Sequence, residues 1–357
     1  NLSYSKTESK DKTWIPAWIQ SNRVYLDKSN ERLTKASRNY ADALIENTIV
    51  YDGHIGKHNI NLLGGMTYEE ENTNLLTGWG IKFTEPYYLQ LQNAANTYSE
   101  SYEYRHAIAS YIGRLTYNYD EKYLLSAVVR RDGSSRLTKD IRWGTFPSVS
   151  LGWRLDKEKF FPVSKKIINM AKIRASYGVL GNENIGEYMY MATMKRNNMT
   201  YSFGNNVVTG SAVSEFVNKN IAWEKKKSTN VGIDLAMFNN RFEFTAEWYK
   251  NTSEDLLYGV PVPTQTGVAN ATVTMNAASM ENSGFEFSAT YRNHDHPFKY
   301  DISANLSTLR NRVTSLGFGT KSYITGAYAT YVGKEIGKFY GWVYEGIART
   351  QSDLDNH

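Results

Sequence analysis

The chain has 357 residues, no cysteine and a formal net charge of +5. These exclude thiolate metal sites, disulfide frameworks and a cysteine nucleophile, and leave too weak a basic bias for a nucleic-acid surface. Tyrosine outnumbers phenylalanine and tryptophan, 27 against 14 and 8, which suits a surface that meets both oil and water. No apolar run approaches the ~18 residues of a membrane helix. A mean hydropathy of −0.53 still permits a barrel, whose strands hide apolar residues at every second position.

In chain order, the first predicted hairpin joins 40–51 to 58–70 through Tyr51-Asp52-Gly53-His54. The next runs over 107–119, where Ala109, Tyr111, Gly113, Leu115, Tyr117 and Tyr119 alternate with Ser110, Ile112, Arg114, Thr116 and Asn118. It resumes after Asp120-Glu121-Lys122 with Tyr123, Leu125, Ala127 and Val129 against Ser126, Val128 and Arg130. Single strands follow at 145–155 and 171–180, with a helical turn expected at 163–170 between them. A hairpin over 229–248 turns at Asn239-Asn240, and one over 284–306 turns at 293–297. A last strand is expected near 337–348. This period-two grammar is that of half-buried antiparallel strands.

Connections alternate strictly. Those at 52–57, 120–122, 156–170, 238–241 and 293–297 are short or intermediate, and those at 71–105, 133–144, 181–225, 253–283 and 311–336 are long. Short turns on one rim and long loops on the other are the layout of an outer-membrane barrel. Aromatics gather at the tight turns: Tyr117, Tyr119 and Tyr123; Phe238, Phe242 and Phe244; Tyr291, Phe298 and Tyr300; Trp153 with Phe160 and Phe161. They read as a girdle at the periplasmic interface. The opposite face carries Arg114, Arg130, Arg154, Arg174, Asp234, Glu243, Glu247, Asp301 and Asn305. It reads as the lining of a lumen that holds water or a polar plug. The expected fold is therefore an all-β, transmembrane, antiparallel up-and-down barrel.

Several stretches carry a resemblance: Tyr117–Leu125 (YNYDEKYLL), Arg130–Arg136 (RRDGSSR), Trp143–Arg154 (WGTFPSVSLGWR), Ile173–Asn182 (IRASYGVLGN), Trp223-Glu224-Lys225, Asn282–Glu286 (NSGFE) and Gly333–Gly346 with its Phe-Tyr-Gly core. In this order the chain resembles the SusC/RagA-like TonB-dependent transporters of Bacteroidetes-type bacteria. The resemblance implies a 22-stranded barrel in the outer membrane of a Gram-negative bacterium, of which residues 1–357 would be about half or more. A plug domain, a TonB box and closing strands are expected to lie outside this chain. It further implies active import of an oligosaccharide or oligopeptide, a SusD-like surface lipoprotein as lid, TonB as energy source, and a dimer of transporter–lid pairs. A passive porin or surface adhesin on a similar barrel is the alternative, and a soluble carbohydrate-binding β-protein is a distant third.

No enzymatic chemistry and no cofactor is expected. His294-Asp295-His296 falls in a tight turn, where alternate side chains diverge, and reads as solvated rather than as metal ligands. Glu69-Glu70-Glu71 and Lys225-Lys226-Lys227 read as solvated strand ends. No glycine-rich loop opens a helix, and Ser134 and Ser135 have no histidine nearby in sequence. Aromatics placed on the long loops, Trp79, Tyr87, Tyr88, Tyr201, Phe203 and Trp223, are candidates for substrate or lid contact, with ordinary loop packing as the alternative. Such rings stack on sugars and anchor protein interfaces alike.

Overall fold

A computed structural model describes residues 1–16, 18–19, 26–27, 31–84, 87–192, 194–204, 206–213, 217–262, 265, 272–295, 297–317, 319–344, 347 and 351. Strand β1 (Leu2–Ile15) opens the main sheet, and β2 (Trp18–Ile19) and β3 (Leu26–Asp27) pair with each other. The sheet continues through β4 (Arg32–Ile55), β5 (His58–Phe83), β6 (Ala94–Tyr119), β7 (Tyr123–Ser134), β8 (Trp143–Arg154) and β9 (Ile168–Asn182). A separate hairpin, β10 (Met194–Phe203) and β11 (Asn206–Val213), intervenes. The sheet then resumes with β12 (Glu224–Met237), β13 (Phe242–Pro261), β14 (Thr272–Asn293), β15 (Tyr300–Ser307) and β16 (Arg310–Ser315). β17 (Ser322–Thr325), β18 (Tyr328–Tyr331) and β19 (Lys338–Phe339) form a small sheet of their own.

The main sheet has 12 strands, each antiparallel to its sequence neighbour within the sheet, and β16 prolongs β15 on β14 in one register. This is the up-and-down connectivity expected. Local turn chemistry explains the tight ends. Gly56 takes φ +59° between Ile55 and His58, a left-handed conformation that glycine adopts without strain. Asp120 and Glu121 have φ of 51° and 52°, and Phe238, Asn239 and Asn240 are also left-handed.

Several expectations are corrected. The first turn lies at Gly56–Lys57, two residues beyond the Asp52-Gly53 pair, which remains in β4. The 71–105 connection is mostly ladder. Its Asn-, Thr- and Glu-rich sequence reads as loop, but backbone pairing does not depend on side-chain polarity. β5 and β6 therefore stay in unbroken register from His58↔Tyr119 to Ile81↔Asn96. The 253–283 and 311–336 connections likewise contain strand. At 163–170 one turn closes, with Ile167 and Ile168 N–H donating to the Ser164 carbonyl, but β9 already begins at Ile168. Of the strand expected near 337–348, Lys338–Phe339 is strand among the described residues, and 345, 346 and 348 lie outside them.

The two faces of the sheet differ. Ile49, Leu62, Tyr111, Leu151, Ile173, Val231, Phe285, Ile302 and Leu306 point to one side and are exposed there. At the tight-turn end of that side His58, Tyr119 and Tyr123 adjoin, with ring centroids 4.8 and 6.2 Å apart. Trp153 meets Phe160, and Phe298 meets Tyr300. A second aromatic row, absent from the sequence reading, stands further along the same side: Tyr111 stacks on Trp143, and the Arg131 guanidinium lies over Trp143. Tyr111 and Tyr119 share one strand, so on a tilted strand the two rows stand about 20 Å apart along the barrel axis. Past Tyr68, whose hydroxyl donates to Glu70, the side turns polar with the Glu70–Arg105 ion pair.

One carboxylate ties the tight-turn aromatics together. Glu158 accepts from the Tyr123 hydroxyl at 2.6 Å, the Trp153 indole at 3.1 Å and the Lys122 ammonium at 3.4 Å. The Tyr123 bond, then the Trp153 bond, holds its pKa below the ordinary carboxylate range.

Candidate functional site on the polar face

Directly paired residues of neighbouring strands share a face, so the registers lay the polar face out in rows. One row reads Asn59, Asn118, Leu124, Gly152, Arg174, Gly232, Glu247, Glu286 and Ser307 from β5 to β15. The next row towards the tight turns adds Lys172, Asp234, Thr245, Ser288 and Asn305.

These two rows hold an ion-paired patch. Lys172 reaches Asp234 at 2.8 Å, and Arg174 reaches Asp234 at 3.3 Å and also pairs with Glu247. Thr245 donates to Asp234 at 3.3 Å. Arg174 stands on β9 and Glu247 on β13, so the guanidinium must cross β12. It crosses at Gly232, where an added Cβ would lie 3.0 Å from Arg174 Cζ and 3.1 Å from the Ala246 carbonyl. Gly232→Val is therefore expected to break the Arg174–Glu247 pair and cost about 1–3 kcal/mol. The check is a double-mutant cycle in thermal unfolding of the detergent-solubilised protein. Glu247→Gln should cost little in the Gly232→Val background; an undiminished cost there would refute the crossing.

The other charged polar-face residues named from sequence have local partners. Arg292 pairs with Glu243 at 2.6 Å, and His294 Nε2 pairs with Asp301 at 2.7 Å. Arg114 donates to Asn61 at 3.3 Å. Arg130 grips Asp132 at 2.7 and 3.0 Å and donates to Ser110 at 3.2 Å. Arg154 pairs with the buried Asp156, which also accepts from the Ala171 N–H. Burial raises the Asp156 pKa, but those bonds outweigh it and hold the carboxyl below its usual range. Sequence reasoning missed Lys172 and Arg292, although each sits two residues from a named or face-assigned position and obeys the same alternation.

The aromatic candidates divide. Trp79 lies within β5, stacked on Tyr98 at 5.5 Å, with the Arg32 guanidinium 4.9 Å from its ring. Unbroken register places Tyr98, Tyr102 and Tyr104 on the face that carries Arg114, and Tyr102 stacks on Tyr104. This aromatic stripe is new, because the stretch reads as loop. Tyr87, Tyr88, Tyr201 and Phe203 are exposed. Trp223 is buried. With Leu137, Phe146 and Ile221 it forms a hydrophobic cluster, and its indole donates to the Arg142 carbonyl at 2.8 Å. Its ring is used in packing, so of the readings open for it loop packing holds, and it is not available as a substrate or lid contact.

A buried polar network ties the loop after β7 to β6. His106 Nε2 lies 3.2 Å from Glu183, and Arg136 donates to Glu187 at 2.6 Å. Ser135 exchanges bonds of 2.9 Å with Ala107, its Oγ accepting from the Ala107 N–H and its own N–H donating to the Ala107 carbonyl. The RRDGSSR stretch thus orders its loop. At the 293–297 turn Asp295 pairs with Arg241 and His294 with Asp301, while His296 lies outside the described residues. Among the described residues no group of three or more His, Asp or Glu could hold a metal.

Comparison with known proteins agrees with this architecture. Residues 1–356 match the family model described as TonB dependent receptor-like, beta-barrel. TonB-dependent receptor P3 of Formosa agariphila is 34% identical over 323 residues, covering 87% of this chain and 32% of that protein. TonB-dependent receptor SusC of Bacteroides thetaiotaomicron is 34% identical over 249 residues, covering 69% of this chain and 24% of that protein. The structure of the RagAB peptide transporter superposes with a TM-score of 0.78 at 26% identity, covering 95% of this chain and 37% of the other. The chain thus spans about a third or less of the relatives it matches. With the matched model running over residues 1–356, the chain belongs to the TonB-dependent receptor-like β-barrel family.

Proposed function

We propose that this chain is part of the wall of an energised importer of oligomeric nutrients in the outer membrane of a Gram-negative, Bacteroidetes-type bacterium. The observation that carries the reading is the segregation of faces. The apolar side, bounded by two aromatic rows about 20 Å apart, fits a hydrocarbon band ≈ 25 Å tall. The side with Arg114, Arg130, Arg174, Asp234, Glu243, Glu247 and Asp301 then faces the lumen. The long loops and the prolonged β4–β6 hairpins stand outside the cell. Strand ladders running this far beyond the membrane suit a wall that shields a bulky cargo. Trp79, with Tyr98, Tyr102 and Tyr104 beside it, offers stacking surface to a glycan or peptide, and Tyr87, Tyr88, Tyr201 and Phe203 are candidates for cargo or lid contact.

A surface lipoprotein lid and TonB coupling, in a dimer of transporter–lid pairs, follow from the resemblance to SusC/RagA-like transporters. A passive porin or adhesin is the competing reading. Deletion of the gene is expected to abolish growth on one oligomeric glycan or peptide of a panel, with the intact gene restoring it only in cells whose TonB system works. Restoration without TonB would favour the porin.

A further inference from the structure

Strand β6 outlasts its neighbour β7. Their pairing ends at Ile108↔Ser134, whereas β6 reaches back to Ala94 with β5 on its other side. In an antiparallel strand both backbone groups of a residue point to one edge, and alternate residues point to opposite edges. Ala107 exchanges its two bonds with Ser135, and the Arg105 N–H donates to the Tyr188 hydroxyl at 3.3 Å, so the odd-numbered residues here face away from β5. Beyond that hydroxyl, Glu103, Ser101, Ser99 and Thr97 turn their N–H and C=O groups to the same edge. Among the described residues no strand pairs with it, and residues 95–105 are all exposed. Natural sheets blunt such an edge with proline, lysine or a bulge. Residues 97–103 contain neither proline nor lysine, and their register with β5 has no bulge.

We propose that this edge is a docking site for an extended peptide, which adds to the sheet as a strand beside β6. The occupant is cargo, an assignment that rests on the import reading above. The free amide and carbonyl groups recur at every second residue, about 6.6–6.8 Å apart. Another polypeptide backbone matches that repeat, and a glycan has none like it. The even-numbered side chains Tyr98, Glu100, Tyr102 and Tyr104 stand beside the edge on the face that carries Arg114, and the three rings are exposed. In the import reading that face is the lumen side, where cargo passes. An added strand sets alternate side chains about 5 Å from these residues, so apolar or aromatic side chains suit three positions. Glu100, which accepts from the Tyr102 hydroxyl, favours a basic side chain at the fourth. Glu100 and Glu103 also disfavour pairing of this edge with a second copy of itself.

The probe is a fluorophore-labelled synthetic peptide of about nine residues, in which threonines alternate with leucine, leucine, lysine and leucine. Fluorescence anisotropy with the purified full-length transporter in nanodiscs reads its binding. Two N-methylated versions keep every side chain. Methyl groups on the threonine amides remove the donors that would face β6, and methyl groups on the leucine and lysine amides lie on the far side. The plain peptide and the far-side version should bind alike, and the near-side version about tenfold or more weakly. Ser101→Pro removes an N–H that points away from β5. It should fold normally and weaken binding of the plain peptide by a similar factor. Equal binding by the two methylated peptides, unchanged binding to Ser101→Pro, or no saturable binding at ~1 mM peptide would overturn the edge site. So would a neutral glucan oligosaccharide that displaces the peptide and binds Ser101→Pro in full, which would assign the tyrosines to glycan. Edge binding of the expected kind without TonB-dependent uptake of the peptide would keep the site and count against energised import.

Discussion

Replacing Leu151 with arginine is expected to sharply reduce the amount of folded protein in the outer membrane. Leu151 sits on β8 two residues before Trp153, paired with Leu125 and Ala175, and 56% of its surface is exposed on the apolar side. A soluble sheet would tolerate a charge at so open a position. Facing hydrocarbon between the interface and the bilayer midplane, arginine costs about 1–3 kcal/mol, a large share of the margin by which a domain is stable. The neighbouring Ser150→Arg turns the same side chain to the polar face and should assemble near normally. Folded yield, read as the heat-modifiable band of the full-length protein, measures both. Equal yields would contradict the assignment of the faces.

Trp223→Ala should leave the sheet intact and release the outer loops. The indole packs edge-on against Phe146, with centroids 5.4 Å apart at 70°, and lies over Leu137 and Ile221. Gly144 and Gly181 lie so close to the Phe146 ring that neither has room for a side chain. Truncating a buried tryptophan costs about 3–5 kcal/mol. The loss here falls on the segments 135–142 and 217–223, because Trp223 joins them through the Arg142 carbonyl. Hydrogen exchange in those segments should rise by several orders of magnitude, while β6–β9 amides stay protected. Trp223→Phe keeps most of the packing, loses one hydrogen bond worth about 1 kcal/mol, and should move exchange far less. Exchange in Trp223→Ala no faster than in Tyr201→Ala would show that the ring is not a loop anchor.

Much of this fold is written in the sequence, because a half-exposed strand must alternate. Leu115, Leu151 and Val231 obey that rule, and so do Arg174, Asp234 and Glu247, which the structure brings into one ion-paired patch. The fourth member of that patch, Lys172, follows from the same alternation and stands at the start of the strand expected over 171–180. What alternation cannot show is where a ladder ends. Between 71 and 105 both faces leave the membrane and become polar. The hydrophobic signal stops there although the backbone pairing does not, so Trp79 and Tyr98 looked like loop residues. Burial of Trp223 was equally hidden, since its partners Leu137 and Phe146 come from the loop after β7 and from β8, 77–86 residues earlier. The crossing of Arg174 over Gly232 depends on the register of three strands and carries no signal in the sequence.

The central claim is that one face of this sheet meets lipid and the other meets water. Spin labels placed one at a time on β8 of the full-length protein in liposomes, from Ser148 to Trp153, test it most directly. Collisions with oxygen, which concentrates in lipid, and with a water-soluble nickel chelate should alternate with a period of two residues. Val149, Leu151 and Trp153 are expected to favour oxygen, and Ser148, Ser150 and Gly152 the chelate. A profile without that alternation, or one with the two sets exchanged, would contradict the account.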